Sequence, residues 1–116
     1  MIEQVNEHLA SIRIRVRFTR YAQKDFKAYS KGQQAEIMVL IVKQAEKNPR
    51  MRPHGNGKPL GEDLVGLCKI KSKATGLRVI YRPIEEEEDG MVTMEIIAIG
   101  PRDRNEVYRK TSQRLK

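Results

Sequence analysis

The chain is short of most of what a secreted, metal-bound or membrane protein is built from. A single cysteine, Cys68, excludes an internal disulfide and any zinc site of the usual cysteine type. Tryptophan is absent and phenylalanine occurs twice, so the core must be aliphatic, drawn from Ile, Val, Leu and Met. The longest apolar run, Ile37 to Val42, is far too short to span a bilayer. The N-terminus carries Glu3 and Glu7 and no apolar stretch, unlike a signal peptide, so a cytoplasmic location without a membrane partner is expected. Histidine is scarce. His8 has no obvious role, and His54 stands beside Gly55 and Gly57 in a Gly- and Pro-rich stretch and reads as a solvated loop residue. No Ser-His-Asp arrangement, Gly-rich phosphate loop or metal-ligand cluster is visible, and no cofactor is called for.

Cationic side chains are what the chain has in excess. Lys and Arg number 23 against 15 Asp and Glu, a net charge of +8 over 116 residues. The charge is segregated. Residues 47–82 hold nine Lys or Arg against Glu62 and Asp63, and residues 101–116 hold six against Asp103 and Glu106. Glu85 to Asp89 gather five acids in one run. Adjacent carboxylates on a turn repel and stay solvated more readily than they bind metal. The excess points to a nucleic acid, another polyanion or an acidic protein as partner.

The stretch from Gly66 to Pro83 organises the rest. It alternates as two half-buried strands do. A four-residue loop, Lys73-Ala74-Thr75-Gly76, with Gly76 left-handed, pairs Ser72 with Leu77, Lys71 with Arg78 and Ile70 with Val79. One face is then apolar, with Cys68, Ile70, Leu77, Val79 and Tyr81. The other collects Lys69, Lys71, Lys73, Arg78 and Arg82. Like charges directly across a sheet are destabilising. Edge lysines that block aggregation are one reason to keep them, and a polyanion held against the face is the sharper one.

Around the hairpin, Met1 to Ile12 reads as either a short helix or a frayed tail. Arg13 to Phe18 alternates as a strand with Ile14, Val16 and Phe18 inward. Thr19 suits a helix cap, with Ala22, Phe26 and Tyr29 at helical spacing after it. Ser30-Lys31-Gly32 interrupts. A second helix is expected from about Gln33 to Lys47, with a stripe of Ala35, Met38, Ile41, Val42 and Ala45, ended by Asn48-Pro49. Arg50 to Val65 reads as a loop. Met91 to Gly100 is a strand with Val92, Met94, Ile96 and Ala98 on one side; its end is apolar on both faces, which suits a central position. Asp103 followed by Glu106 resembles a capping box opening a short helix with Val107, Tyr108, Thr111 and Leu115. Residues 1–116 are therefore expected to form one α+β domain, with 1–12 as an N-terminal extension. A small antiparallel sheet would carry the helical hairpin on one face and expose Lys and Arg on the other, with the short C-terminal helix last.

Lys, Arg and one Tyr at the start of the last helix suffice for one reaction class. When the 2′-hydroxyl of RNA attacks its neighbouring phosphate, an enzyme must take the hydroxyl proton, protonate the leaving 5′-oxygen and stabilise charge on phosphorus. Arg and Lys do the last, and a Tyr or Lys with neighbouring cations can move protons. No metal is required, and a partner can orient the RNA.

Cys-Lys-Ile-Lys-Ser-Lys-Ala-Thr-Gly-Leu-Arg-Val-Ile-Tyr (68–81) and Ile-Gly-Pro-Arg-Asp-Arg-Asn-Glu-Val-Tyr (99–108) resemble the RelE-type toxins of bacterial type II toxin–antitoxin pairs, members of the RelE/ParE superfamily. The resemblance is strongest over residues 58–115. It implies an mRNA interferase, a metal-independent endoribonuclease that cuts mRNA in the ribosomal A site and stops translation. By motif, Lys69 and Lys71 are the strand lysines beside the scissile phosphate. Arg78 holds the phosphate in the transition state, Arg102 contacts phosphate, and Tyr108 stacks on or activates the substrate. Lys73, Arg82 and Arg104 stand where further RNA-binding cations are expected. Tyr108 lies next to the apolar stripe of its helix and would otherwise be a core anchor, as Tyr81 is by its parity. The resemblance further implies a 70S ribosome with its mRNA, an acidic antitoxin, and operator DNA reached through the antitoxin complex. The chain departs from the pattern in its eleven or so residues before the first strand, in Pro101 and in the acidic run 85–89. Two other classes remain: a ParE-like toxin that inhibits DNA gyrase, and a non-catalytic basic nucleic-acid-binding module whose binding weakens steeply with salt.

Overall fold

The computed structural model describes residues 1–101 and 105–115. Helix α1 (Ile2–Leu9) and a 3-10 turn (Ala10–Ile12) lead into β1 (Ile14–Phe18), followed by α2 (Arg20–Lys27) and α3 (Lys31–Glu46). Then come β2 (Lys58–Pro59), a second 3-10 turn (Glu62–Leu64), β3 (Cys68–Lys71), β4 (Leu77–Glu85), β5 (Val92–Pro101) and α4 (Glu106–Arg114). The α+β architecture is the expected one. The strands form one sheet in the order β1-β5-β4-β3-β2. β1 runs parallel to β5, so the sheet is mixed where an antiparallel one was expected. The chain leaves β1 through two helices and three further strands before β5, and nothing local in the sequence fixes that pairing.

The N-terminal residues are helical, and their attachment explains why. Leu9 is fully buried, and Ile2 and Val5 pack on the core. Asn6 then does what a neighbouring strand would do. Its Oδ1 accepts from the Val16 N–H at 2.8 Å and its Nδ2 donates to the Val16 carbonyl at 3.1 Å. That amide satisfies an otherwise bare stretch of sheet edge.

Thr19 caps α2, accepting from the Ala22 N–H. Ser30, expected to be part of an interruption, caps α3 in a box with Gln33, so that helix starts at Lys31. Its inward stripe uses Ile37, while Ala35 is exposed. Both helices cover one sheet face over a core of Ile14, Val16, Met38, Ile41, Val79, Met94, Ile96 and Ile99. Tyr81 is fully buried there and donates from its hydroxyl to the Pro49 carbonyl at 2.8 Å. Gly57 closes the loop over that hydroxyl, where a Cβ would lie 2.7 Å from it. The stretch 50–65, expected to be loop throughout, contributes β2 and the second 3-10 turn.

The opposite face is not open along its length, as the sequence had implied. Leu64, Leu67, Ile80, Ile97, Ala98 and Val107 form a second apolar cluster under α4. A bulge makes it possible. Ile80 pairs with Ala98 but Tyr81 pairs with Ile96, leaving Ile97 extra. The alternation of β5 therefore changes phase, and Ala98 leaves the expected set with Met94 and Ile96 to join the α4 side. Leu115 is exposed. Asn105 occupies the cap position of α4 without a side-chain cap bond, and the expected cap, Asp103, lies outside the described residues.

Candidate nucleic-acid interface

The β3–β4 hairpin has the register its loop length dictates. Lys71 lies across from Arg78, Ile70 from Val79, and Lys69 from Ile80. Ser72 and Leu77 close the ladder with a bond of 3.0 Å, and Gly76 takes φ +71°. Lys69 and Lys71, two apart on one strand, share the face on which Arg78 stands. Lys73 is exposed in the turn. Arg78 is only 9% exposed, with its guanidinium donating to its neighbour's carbonyl, that of Leu77, at 3.3 Å.

The electrostatics show how close these groups are. The Lys69 cation, foremost, then desolvation and the Arg78 guanidinium depress the Lys71 pKa below its usual value, while the Tyr108 hydroxyl acts in the opposite sense. Lys71 thus gives up its proton more readily than an isolated lysine. Tyr108, half-buried at the start of α4, rests on the Leu64–Ile80–Val107 cluster. Its other side borders an open cleft shared with Asp63, Asn105 and Ser112. Among the described residues no ion pair involves Lys69, Lys71, Lys73 or Arg78.

Of the residues singled out from the sequence, Lys69, Lys71, Arg78 and Tyr108 come together and Lys73 sits at the hairpin tip. Arg102 and Arg104 lie outside the described residues. Arg82 is not brought in. It is four residues along β4 from Arg78, roughly 13 Å, and pairs with Glu95 at 3.4 Å, which also holds Arg17 at 3.0 Å. The sequence could not show this, because Glu95 meets Arg82 only through the β4–β5 register. Nor are the acids at 85–89 simply solvated. Asp89 pairs with Arg15 at 2.6 Å, Glu85 with Arg50 at 2.5 Å, and Glu86 accepts from the Thr93 hydroxyl at 2.9 Å. Arg15 pulls the Asp89 pKa down.

Two features escaped sequence reading. Lys58 on β2 lies directly across from Lys69; the signal was a Lys-Pro step in a stretch read as loop. The other is an anchor under α4. Asp25 of α2 accepts from both Arg114 guanidinium nitrogens at 2.7 and 2.8 Å, from the Ile99 N–H at 2.9 Å, and pairs with Lys110 at 3.2 Å. Lys110 and Arg114 also donate to the Ile99 and Ile97 carbonyls. Burial pushes the Asp25 pKa up, but these donors outweigh it and hold the carboxyl below its ordinary value. The cluster satisfies the part of β5 that β1 does not reach and pins the helix that carries Tyr108. An apolar groove of about 550 Å³, walled by Ile2, Phe18, Phe26 and Met38, lies at the β1 rim, away from the lysines.

Comparison with known proteins places the chain. A family model described as the ParE toxin of type II toxin–antitoxin system, parDE, matches residues 16–106. A provisionally named RelE-like toxin protein of Escherichia coli is 27% identical over 105 residues, 90% of this chain and all of that one. A mutant of E. coli toxin RelE in the free state superposes with a TM-score of 0.65 at 23% identity, over 87% of this chain and 96% of that one. The intact E. coli RelBE toxin–antitoxin complex matches with a TM-score of 0.54 at 23% identity, over 77% and 96%. At these identities the structural likeness is one of fold.

Proposed function

The chain belongs to the ParE toxin family of type II toxin–antitoxin systems, within the RelE/ParE superfamily, and within that superfamily we propose that it is a ribosome-dependent mRNA endonuclease. One observation carries the proposal: Lys69, Lys71 and Arg78 converge beside Tyr108 with no carboxylate pairing them among the described residues. Cations left unneutralised on a rigid hairpin are poised for a phosphodiester.

In the proposed reaction the RNA 2′-hydroxyl gives its proton to a base and attacks the adjacent phosphorus. The 5′-oxygen leaves with a proton, and a 2′,3′-cyclic phosphate remains. Lys69 and Lys71 serve as base and charge stabilisers, and the depressed Lys71 pKa favours proton transfer. Arg78 holds the non-bridging phosphate oxygens, with Arg102 as a further phosphate contact, and Tyr108 stacks on or activates the substrate. Lys73 and Arg104 add RNA contacts; Arg82, engaged by Glu95, is left out. The ribosome supplies orientation in the A site, which places the protein in the cytoplasm. Among the described residues no helix is long and apolar enough to cross a membrane. The net charge of +8 suits an acidic antitoxin, and the fold's likeness to a toxin from a toxin–antitoxin complex supports such a partner. Operator DNA would be reached through that complex.

The family model itself favours a second reading, inhibition of DNA gyrase without RNA chemistry. A cleavage assay on defined mRNA, with and without translating ribosomes, separates the two. Cuts only with ribosomes, lost in folded Arg78→Ala and Tyr108→Ala, are expected. A folded, antitoxin-free protein that cuts nothing yet blocks gyrase supercoiling overturns the nuclease.

A further inference from the structure

We propose that Lys58, set across β2 and β3 from Lys69, forms a second phosphate-binding position, which takes the phosphodiester next to the scissile one in a single-stranded RNA. The inference rests on the nuclease function proposed above. Lys58 and Lys69 are paired across β2 and β3, and directly opposite residues of an antiparallel pair share a face, about 5 Å apart at Cβ. Lys71 and Arg78 repeat the arrangement two residues further along β3. The two cation pairs are therefore offset by about 6.6 Å along the strand, a step comparable to that between successive phosphates of an extended strand. Among the described residues neither pair has an acidic partner.

Two like-charged pairs in succession oppose sheet formation, and β2 has only two residues with which to hold its place. A strand that short gains little by setting a lysine against a lysine. What the register does provide is a cation at the point where the phosphate track would otherwise end. Among the described residues Lys58 has no side-chain hydrogen-bond or ion-pair partner, and it is exposed. It is free to close on the neighbouring phosphate, while Lys69, Lys71 and Arg78 engage the reacting group. The competing role is that of a bare edge guard against aggregation, and it makes a different prediction.

The test measures binding of a short single-stranded RNA with 2′-O-methyl riboses, which cannot be cleaved, across a salt series, alongside single-turnover cleavage on programmed ribosomes. Each phosphate contact contributes about 0.7 to the slope of log affinity against log salt for a single strand. Lys58→Ala is expected to lower that slope by about 0.7 and to weaken binding several-fold at low salt. The cleavage rate at saturating toxin should stay within about twofold, as for a contact made equally in ground and transition states. Lys58→Arg should restore the slope. An unchanged slope in a folded Lys58→Ala variant, or a change only in aggregation, overturns the second position and leaves the nuclease standing. If Lys58→Ala loses the slope contribution as expected but the wild-type protein cuts nothing on ribosomes, Lys58 stands as an RNA phosphate contact, and the nuclease is overturned together with the placing of that phosphate beside a scissile one.

Discussion

One face of the sheet carries two sets of cations, and they are treated oppositely. Toward β1, Arg15 has Asp89, while Arg17 and Arg82 share Glu95. Toward β3, Lys58, Lys69, Lys71 and Arg78 have no ion pair among the described residues. Ile80, under α4, stands between Arg78 and Arg82 on β4. Cations on one face thus serve two ends. Where an acid sits opposite, a cation ties strands together. Where none does, its field remains available to a ligand, at the expense of repulsion that the hairpin must withstand. Net charge alone does not separate the two sets, whereas cross-strand register does.

The largest expected effect comes from breaking the unpaired set. Arg78→Ala should lower ribosome-dependent cleavage by roughly 100- to 1,000-fold, the usual loss when one transition-state charge donor is removed. The protein should stay folded at the assay temperature: the packing of a side chain only 9% exposed is lost, but no ion pair is broken and the repulsion on Lys71 is relieved; differential scanning calorimetry beside the cleavage assay checks both.

Next is the anchor beneath Tyr108. The Asp25 side chain is 10% exposed and that of Arg114 16%. Asp25→Asn strands the largely buried Arg114 and weakens the hold on the partly exposed Lys110, and should cost about 3 kcal/mol, read from urea unfolding. The Asp25 pKa is lowered from 3.8 in the folded state. Its contribution is therefore complete above about that pH and is lost as pH falls through the folded value. Amide exchange in α4 should rise in that acid window, well before exchange in the β4–β5 core.

A subtler change sharpens the contrast. Lys69→Met removes the main repulsion on the Lys71 ammonium, so the Lys71 pKa rises. With Lys71 as base, the rising limb of the pH–rate profile should move to higher pH. A limb that stays put would mean that Lys71 does not carry the titrating proton. Smallest of all, Asp89→Asn at the paired end should leave the urea unfolding midpoint almost where it was and cleavage untouched, because that ion pair is solvent-screened and remote from the hairpin.

How much of this was legible depended on the range of the interaction. The hairpin register could be read because four loop residues and one left-handed glycine settle it locally, and with it the meeting of Lys71 and Arg78. The Thr19 cap and the buried positions of Cys68 and Tyr81 followed from short spacing and parity in the same way. What could not be read lies in long-range closure. The parallel β1–β5 pair joins residues some eighty apart, and one extra residue at Ile97 turns the end of β5 over. Asp25 and Arg114 meet only because α2 and α4 both come to β5. Lys58 was hidden because two residues of strand between Gly57 and Leu60 have no periodicity to detect. The Arg82 ion pair was hidden for the converse reason: its parity was right, but its partner Glu95 comes from a strand the hairpin does not contain.

Asn6 has a consequence for how the sheet can grow. A second chain adding a strand at β1 would have to supply what the Asn6 amide already gives Val16, and to displace α1 in doing so. At the far rim β2 covers only Cys68 and Lys69 of β3. The two borders are thus shut by different means: an amide beneath α1 at one, and at the other only the charge of the lysines against a strand offered from outside.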